Sequence, residues 1–552
     1  MRKKMLALVM AAAMAAGSLA GCGGTSSGTG TGTAPSDRTA AAGTEVSKQE
    51  NSQETLAGEL AKPKSNVLVA GIAEPEHEDR LGLVQPIANN DAMRGIMPGI
   101  ENLFHYNSGT VEGWLIDEWT VSDDGMIYDW HIREDVKFHD GSQLTAEVVK
   151  WNLQYALDNG VTAISIKEME VIDDNNLRVT LDEKNPLFLD TLATGLFGFV
   201  FSKEAYDKNG EEWCYKNPIG TGAYQFDSWD HGTQVVWVAN EDYWGDGPYL
   251  DGITYKWFES KATAIASYIN GDVQVLFNTD LDIHKEVCSS LDPRNAEQVI
   301  SKAPNNIFYI WMDGNDPGSP FHDVRVRKAF CYAIDTDAIV NDLFEGFRRA
   351  TTNQPSYAGS QYFNEDIVGY DYDPEKAKEL LQEAGYGNGF TYTIQCRTGT
   401  PYDMYVPAIQ AYLANVGINL EVNYLEGTAF NAVMYESFAG TIFTNPASFA
   451  PNEFGRMRER FSRGNIESFG YKDIYFSDAY FDYFDQAKAA DSTAEAADYY
   501  KKAMKEAIDT DCSIMVLYAD HSCTMKYSFV TDTGLEAAPN NQWFPSAAKF
   551  TE

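Results

Sequence analysis

The chain has 552 residues, enough for two or three folded lobes. Its 81 acidic residues against 42 basic ones leave a formal charge of −39. That balance excludes nucleic acid as a partner, which requires basic stripes, and argues against peripheral binding to anionic lipid. The cysteines are scattered without a C-x-x-C pair, so no metal site, redox centre or cofactor is expected.

Arg2, Lys3 and Lys4 precede an apolar run from Met5 to about Ala16, followed by Leu19-Ala20-Gly21-Cys22. A basic start, an apolar stretch too short to span a bilayer and small residues before a break describe a secretory signal peptide over 1–21. The last four residues resemble a bacterial lipobox, which implies cleavage before Cys22 and acylation of its thiol. Two or three acyl chains anchor firmly where one is marginal. Residues 22–65 are rich in Gly, Ser, Thr and Ala, then in Gln, Glu and Lys, and cannot bury enough surface to fold, so they form a flexible tether. Gly24-Thr25-Ser26-Ser27-Gly28 has the form of a G-x-S-x-G elbow but lacks the strand and helix that such an elbow needs.

The folded part opens with a short strand at Val67-Leu68-Val69 and an irregular loop from Gly71 to Pro86 that holds Glu74. Asp123-Asp124-Gly125 turns a hairpin between Trp119–Val121 and the alternating Tyr128, Trp130, Ile132. Thr145 caps a helix with Glu147 in its first turn and Val148, Trp151 and Tyr155 on one face. His131 and His139 sit among strand and turn residues and read as structural rather than as metal ligands. Leu177, Val179 and Leu181 alternate as another strand. Tyr224 and Phe226 alternate before an Asp230–Gly232 turn, and Val236 and Val238 resume beyond it as a hairpin. Strand, helix, strand follow at Ile253–Phe258, Ala262–Gly271 and Val273–Phe277.

Ile307–Trp311 reads as a strand crossing into a second lobe, and Pro320–Phe330 as a helix whose basic residues form a solvated face. Asp373-Pro374 caps the next helix and Gly385 stops it. A further helix ends at Gly417, and Ile418, Leu420 and Val422 alternate. A late helix near Ala494–Ile508 and a strand at Ile514–Tyr518 return the chain to the first lobe. Alternation of this kind indicates an α/β lobe, and crossings near 305 and 515 make a hinge.

Three stretches carry a family resemblance. Pro218, Gly220-Thr221-Gly222 and Tyr224 match a P-x-G-T-G-x-Y strand; Asn240, Tyr243-Trp244, Pro248-Tyr249-Leu250-Asp251 and Ile253 match the segment after it. Pro320-Phe321-His322-Asp323-Val324-Arg325-Val326-Arg327-Lys328-Ala329 matches a P-F-x-D-x-R-V-R-x-A helix. Across about 67–545 the chain resembles the extracellular solute-binding proteins of family 5, the oligopeptide/dipeptide-binding type of ABC importers. The resemblance implies an α/β fold of the type II periplasmic-binding-protein kind, two lobes with a hinge plus an extra subdomain on the first lobe. Its expected divisions are 66–108, 217–306 and 515–552 for lobe I, 109–216 for the subdomain and 307–514 for lobe II. It further implies a binding protein rather than an enzyme, held by lipidated Cys22 at the outer face of the cytoplasmic membrane, with permease and ATPase subunits as partners.

The resemblance also implies where ligand lies. The loop after the first strand runs along the cleft, making Glu74 a candidate by position, and Trp311 stands on the crossing strand. Gln274 replaces a family aspartate. Peptide-binding relatives carry an aspartate four residues before a proline to pair with the peptide ammonium; counting back from Pro451 lands on Ala447. Phe443, Asn445, Phe449 and Asn452 remain as apolar faces and neutral hydrogen-bonding groups. An oligopeptide-class solute and a neutral ligand such as an oligosaccharide therefore both stay open, as does a ligand sensor without transport.

Overall fold

The computed structural model describes residues 61–74, 81–82, 94–107, 110–159, 165–194, 196–292, 294–345, 348, 353–399, 401–448, 453–535 and 543–551. The signal peptide, Cys22 and most of the tether lie outside these residues, as do Phe449 and Asn452. Among them the main sheet has ten strands: β1 (Val67–Ala73), β2 (Tyr224–Asp230), β3 (Gln234–Ala239), β4 (Gly252–Phe258), β5 (Val275–Phe277), β6 (Ala296–Met312), β7 (Phe390–Arg397), β8 (Ile418–Leu425), β9 (Ile442–Ser448) and β10 (Ile514–Tyr527). They lie in the order β8-β7-β9-β6-β10-β5-β1-β4-β3-β2.

Two hydrophobic cores form on this sheet. One gathers Leu68, Ile253 and Leu276 with Trp130 of the subdomain; the other gathers Ile394, Ile418 and Phe443 with Phe330. The long strands β6 and β10 pair antiparallel along most of their length, from Ala296 opposite Tyr527 to Trp311 opposite Ile514. Their register slips between Ile300 and Pro304, and again between Pro304 and Asn306. The lobes are thus joined by a continuous ladder with a loosened middle.

The subdomain is a four-stranded antiparallel sheet in the order Ile116–Val121, Ile127–Ile132, Asn176–Leu181, Ile166–Val171. Helix α1 (Ala146–Asp158) packs beside it, and Thr145 Oγ1 accepts from Val148 N as an N-cap. Its deep face is Val149, Leu153 and Ala156, one position on from the expected one. Trp151 and Tyr155 are only partly covered because their rings pack on Tyr206 at the surface. In the β2–β3 hairpin the buried residues are Tyr224, Val235 and Trp237, while Val238 is exposed. A bulge between Phe226 and Ser228 flips the expected parity.

The distinctive stretch after Asn217 is organised around a residue far away in sequence. The buried carboxylate of Glu101 accepts from Thr221 Oγ1 (2.7 Å), Tyr243 Oη (2.8 Å), Trp244 Nε1 (3.0 Å) and Trp114 Nε1 (2.8 Å). Burial pushes the Glu101 carboxyl above its ordinary pKa, and the four donors pull it back. Hydrogen bonds to a charged group contribute about 1.5–3 kcal/mol each, so this hub fixes the first lobe to its subdomain. His131 pairs with Asp117 (2.6 Å), and His139 Nε2 is 2.9 Å from Gly222 O.

Helix α2 (Val324–Tyr332), capped by Asp323, departs from the expected solvated basic face. Arg327 is buried and donates to Asp511 O, Phe321 O and His322 O. A planar guanidinium supplies several donors at fixed angles, and three backbone carbonyls use them. Gln274 is a structural clip: Oε1 accepts from Val69 N (2.8 Å) and Nε2 donates to Gly271 O (2.9 Å).

Candidate functional site: the interlobe cleft

Strand directions locate the site. In the first lobe β1, β4 and β5 run parallel, and in the second β7 runs parallel to β8 and β9. Ligands of open α/β sheets bind outside the carboxyl ends of such strands. The carboxyl end of β5 meets β10 near Cys523, whose carbonyl accepts from Thr279 N and Thr279 Oγ1 (2.9 and 3.1 Å). The carboxyl end of β9, Ser448, lies opposite Asn306 of β6, which in turn lies opposite Asp520 of β10. Both parallel sets therefore aim at one short length of the crossing strands, where the register slips. Polar side chains hold it: Asn305 Nδ2 donates to Ser522 Oγ (2.7 Å), and His521 Nδ1 is 2.8 Å from Ser301 O.

The first-lobe wall is charged. Glu74 follows β1 with φ +51° and donates its N–H to Phe258 O (2.7 Å). A non-glycine residue in that region costs on the order of 1 kcal/mol, and such residues cluster at ligand sites. Its exposed carboxylate lies 3.9 Å from Lys261 Nζ, which bonds Asp280 Oδ2 at 2.6 Å. Asp280 raises the pKa of the Lys261 ammonium and also caps the helix Leu281–Ser290. Asn278, at φ +52°, accepts from buried Arg94 (3.0 Å).

From the second lobe Arg348 pairs with Asp520 of β10, its guanidinium over the rings of Phe344 (5.8 Å) and Tyr518 (5.9 Å). Burial pushes Arg348 below its ordinary pKa, and the negative charge of Asp280 opposes that shift. Glu345, three residues earlier, pairs with Lys285 of the first lobe. Charges of alternating sign thus run from Glu74 through Lys261 and Asp280 to Arg348 and Asp520.

The remaining candidates fall elsewhere. Trp311 and Phe443 are core residues with 0% exposure. The Trp311 ring packs on Tyr309 and Phe461, and Phe443 on Phe430 and Phe438, because inward positions of a central strand fill the lobe rather than its mouth. Asn445, 1% exposed, accepts from Trp311 Nε1 (2.5 Å) and donates to Tyr471 Oη (3.2 Å), so its amide is committed internally. Glu74 stands exposed at the cleft edge, and Phe449 and Asn452 lie outside the described residues. Asp520 and Arg348 were missed by sequence reasoning. The signal for Asp520 was present, since Asp520-His521 breaks the apolar run Ile514–Ala519; Arg348 carried none.

A second seam joins subdomain and second lobe. Helix α3 (Glu453–Phe461) supplies Arg458, which donates to Asn185 Oδ1 (2.6 Å) and lies 3.6 Å from Glu183. Lys184 pairs with Asp491, Thr493 Oγ1 donates to Pro186 O (3.0 Å), and Leu187 packs into the second core. A cavity of about 440 Å³ lies along this seam, lined by Tyr128, Lys184, Asp190, Gln361, Asp491 and Thr493 among others.

Comparison with known proteins gives the family and the fold. The pattern of the bacterial extracellular solute-binding proteins, family 5, matches residues 110–455. Heme-binding protein A of Haemophilus influenzae is 31% identical over 315 residues, 52% of this chain and 56% of its own length. Glutathione-binding protein GsiB of Escherichia coli is 32% identical over 322 residues, 56% of this chain and 60% of its own length. The chain thus matches under two thirds of the length of these curated relatives. Among solved structures, HbpA2 from Haemophilus parasuis superposes with a TM-score of 0.77 at 22% identity, covering 88% of this chain and 100% of that one. The periplasmic binding protein DppA from Helicobacter pylori, in complex with peptide STSA, gives 0.66 at 23% identity, covering 88% and 98%. These likenesses show the type II periplasmic-binding-protein fold.

Proposed function

This chain belongs to the bacterial extracellular solute-binding proteins of family 5, and from that premise we propose that it captures a small solute between its lobes and delivers it to an ABC permease. The observation that carries this reading is the meeting of both parallel strand sets at 304–306 and 520–523, beside Glu74, Lys261, Asp280, Arg348 and Asp520. Solute held there bridges the lobes and stabilises the closed form by its greater affinity for that form. In this reading 66–108, 217–306 and 515–552 form the first lobe, 307–514 the second and 109–216 the subdomain, although Ala303 and Met515–Ala519 pack into the second core. Anchoring is through an acylated Cys22 at the outer face of the cytoplasmic membrane, the tether giving the clamp reach, and an ATPase on the far side drives transport.

The solute is an oligopeptide-class molecule. Ala447 supplies no carboxylate, but the cleft offers charges of both signs, as a ligand with an ammonium and a carboxylate requires. Glu74, Lys261, Arg348 and Asp520 are the proposed contacts, with Phe449 and Asn452 alongside. A neutral ligand such as an oligosaccharide is the second reading, favoured by Ala447 itself. The relatives named for heme and for glutathione show how far solutes differ among similar chains.

A thermal-shift panel separates the two. A ligand at roughly 100 times its Kd adds about 2.7 kcal/mol, an upshift of a few degrees. Peptides are expected to give it. A response confined to sugars replaces the peptide reading with the neutral one, and silence from both panels leaves neither solute class standing.

A further inference from the structure

Cys331, in the last turn of α2, and Cys512, two residues before β10, bring their sulfurs to 3.5 Å across 181 residues of sequence. Both are buried. The approach is fixed by neighbours on α2 and beyond. Arg327 donates twice to Asp511 O (2.9 and 2.6 Å), Lys328 Nζ donates to Asp509 O (2.9 Å), and Tyr370 Oη donates to Ile508 O (2.7 Å). Helix α4 (Thr493–Lys505) and the turn after it end there, and cations at a helix carboxyl end are favourable. Cys512 itself has φ +49°, a conformation that persists only where its surroundings hold it.

We propose that Cys331 and Cys512 form a disulfide in the exported protein, stapling α2 to the root of the crossing strand β10. The inference rests on the extracellular family and is independent of the solute. Disulfides persist outside the cytosol, and the sulfurs have only to close from contact to about 2.05 Å. The oxidant is a protein or low-molecular-weight disulfide. One cysteine thiolate attacks its sulfur and expels one thiolate; the second cysteine thiolate attacks the mixed disulfide and expels the other. Two protons leave the cysteines, and two electrons end on the oxidant as a dithiol. Because both sulfurs are buried, exchange precedes the docking of α2 onto 508–512. The loop closed is most of the second lobe, so the staple fixes one end of the hinge.

The test takes the full chain exported by a bacterial host, quenched in acid, unfolded and alkylated without reductant, then mapped by peptide mass spectrometry. The Cys331 and Cys512 peptides are expected joined and unlabelled, while Cys214, Cys288, Cys396 and Cys523 carry label. Reduction beforehand should label all six and lower the thermal midpoint by several degrees, a drop absent from a Cys331→Ser/Cys512→Ser double variant. Label on Cys331 and Cys512 without reduction, or a bridge to other cysteines, overturns the proposal. The map decides even if the double variant fails to fold.

Discussion

On the first-lobe side of the cleft, Glu74 stands exposed at the end of β1 and Lys261 half-buried at the start of the helix Lys261–Ile269, at the limit of ion-pair distance from each other. In the second lobe, behind the cleft, Trp311, Phe443 and Asn445 are sealed into a core, where Asn445 bonds both Trp311 and Tyr471. Exposed pairs contribute little to stability, typically 0–1 kcal/mol, whereas core atoms cannot be removed without leaving a cavity or an unmet donor. Ligand chemistry on the first wall is therefore cheap to alter. The second-lobe core is bound to the fold instead, and the place where the two lobes meet, Arg348 with Asp520, belongs to both.

The comparison breaks most visibly at Trp311. Trp311→Ala should lose about 3–5 kcal/mol in urea unfolding followed by circular dichroism; a loss under about 1 kcal/mol means the interior of the second lobe is not a packed core. Asn445→Ala comes next, at about 1–3 kcal/mol, because Trp311 Nε1 is left without its acceptor. A drop much smaller than that would show the indole finds another partner.

Acid sharpens the contrast through two histidines, one in the first lobe and one in its subdomain. Burial between Trp114 and Phe544 pushes His105 down to about 3, and burial pushes His139 down to about 4. In the unfolded chain both take up a proton near pH 6.5, which the folded chain refuses. Stability is therefore full above pH 6.5 and falls as pH drops toward 3–4, by at most about 1.4 kcal/mol per unit for each histidine. The urea midpoint measured from pH 7 to 5 should fall, and His105→Phe should flatten the fall; a midpoint that rises on acidification contradicts the assignment. The smallest effect is Lys261→Gln, within about 0.5 kcal/mol of the parent in stability yet weaker in solute binding by titration. Equal loss of both would make Lys261 a structural residue.

These outcomes bear on what the sequence disclosed. Caps and turns at Thr145, Asp373 and Gly385 were legible because their signals are local. The stretch around Thr221, Tyr243 and Trp244 was legible as a family pattern but not as chemistry. Its physical centre, Glu101, lies more than a hundred residues upstream and announces itself by nothing nearby. Strand parity failed in the β2–β3 hairpin because one bulged residue exchanges the faces. The cleft was read from family position, which placed Trp311 and Phe443 at the mouth when their inward alternation sends them to the core. Arg348 and Asp520 meet only through the fold, one from a loop and the other from the returning strand.

The clamp itself is tested most directly by calorimetric titration of a peptide identified in the thermal panel, against the parent chain and an Arg348→Gln/Asp520→Asn double variant. Removing both charges together avoids stranding one of them, which would by itself cost several kcal/mol. The account predicts one saturable site in the parent and an affinity at least roughly tenfold weaker in the variant, about 1.4 kcal/mol, with an unchanged unfolding midpoint. Equal affinity in both proteins would contradict it, placing the solute away from the meeting point of the strands.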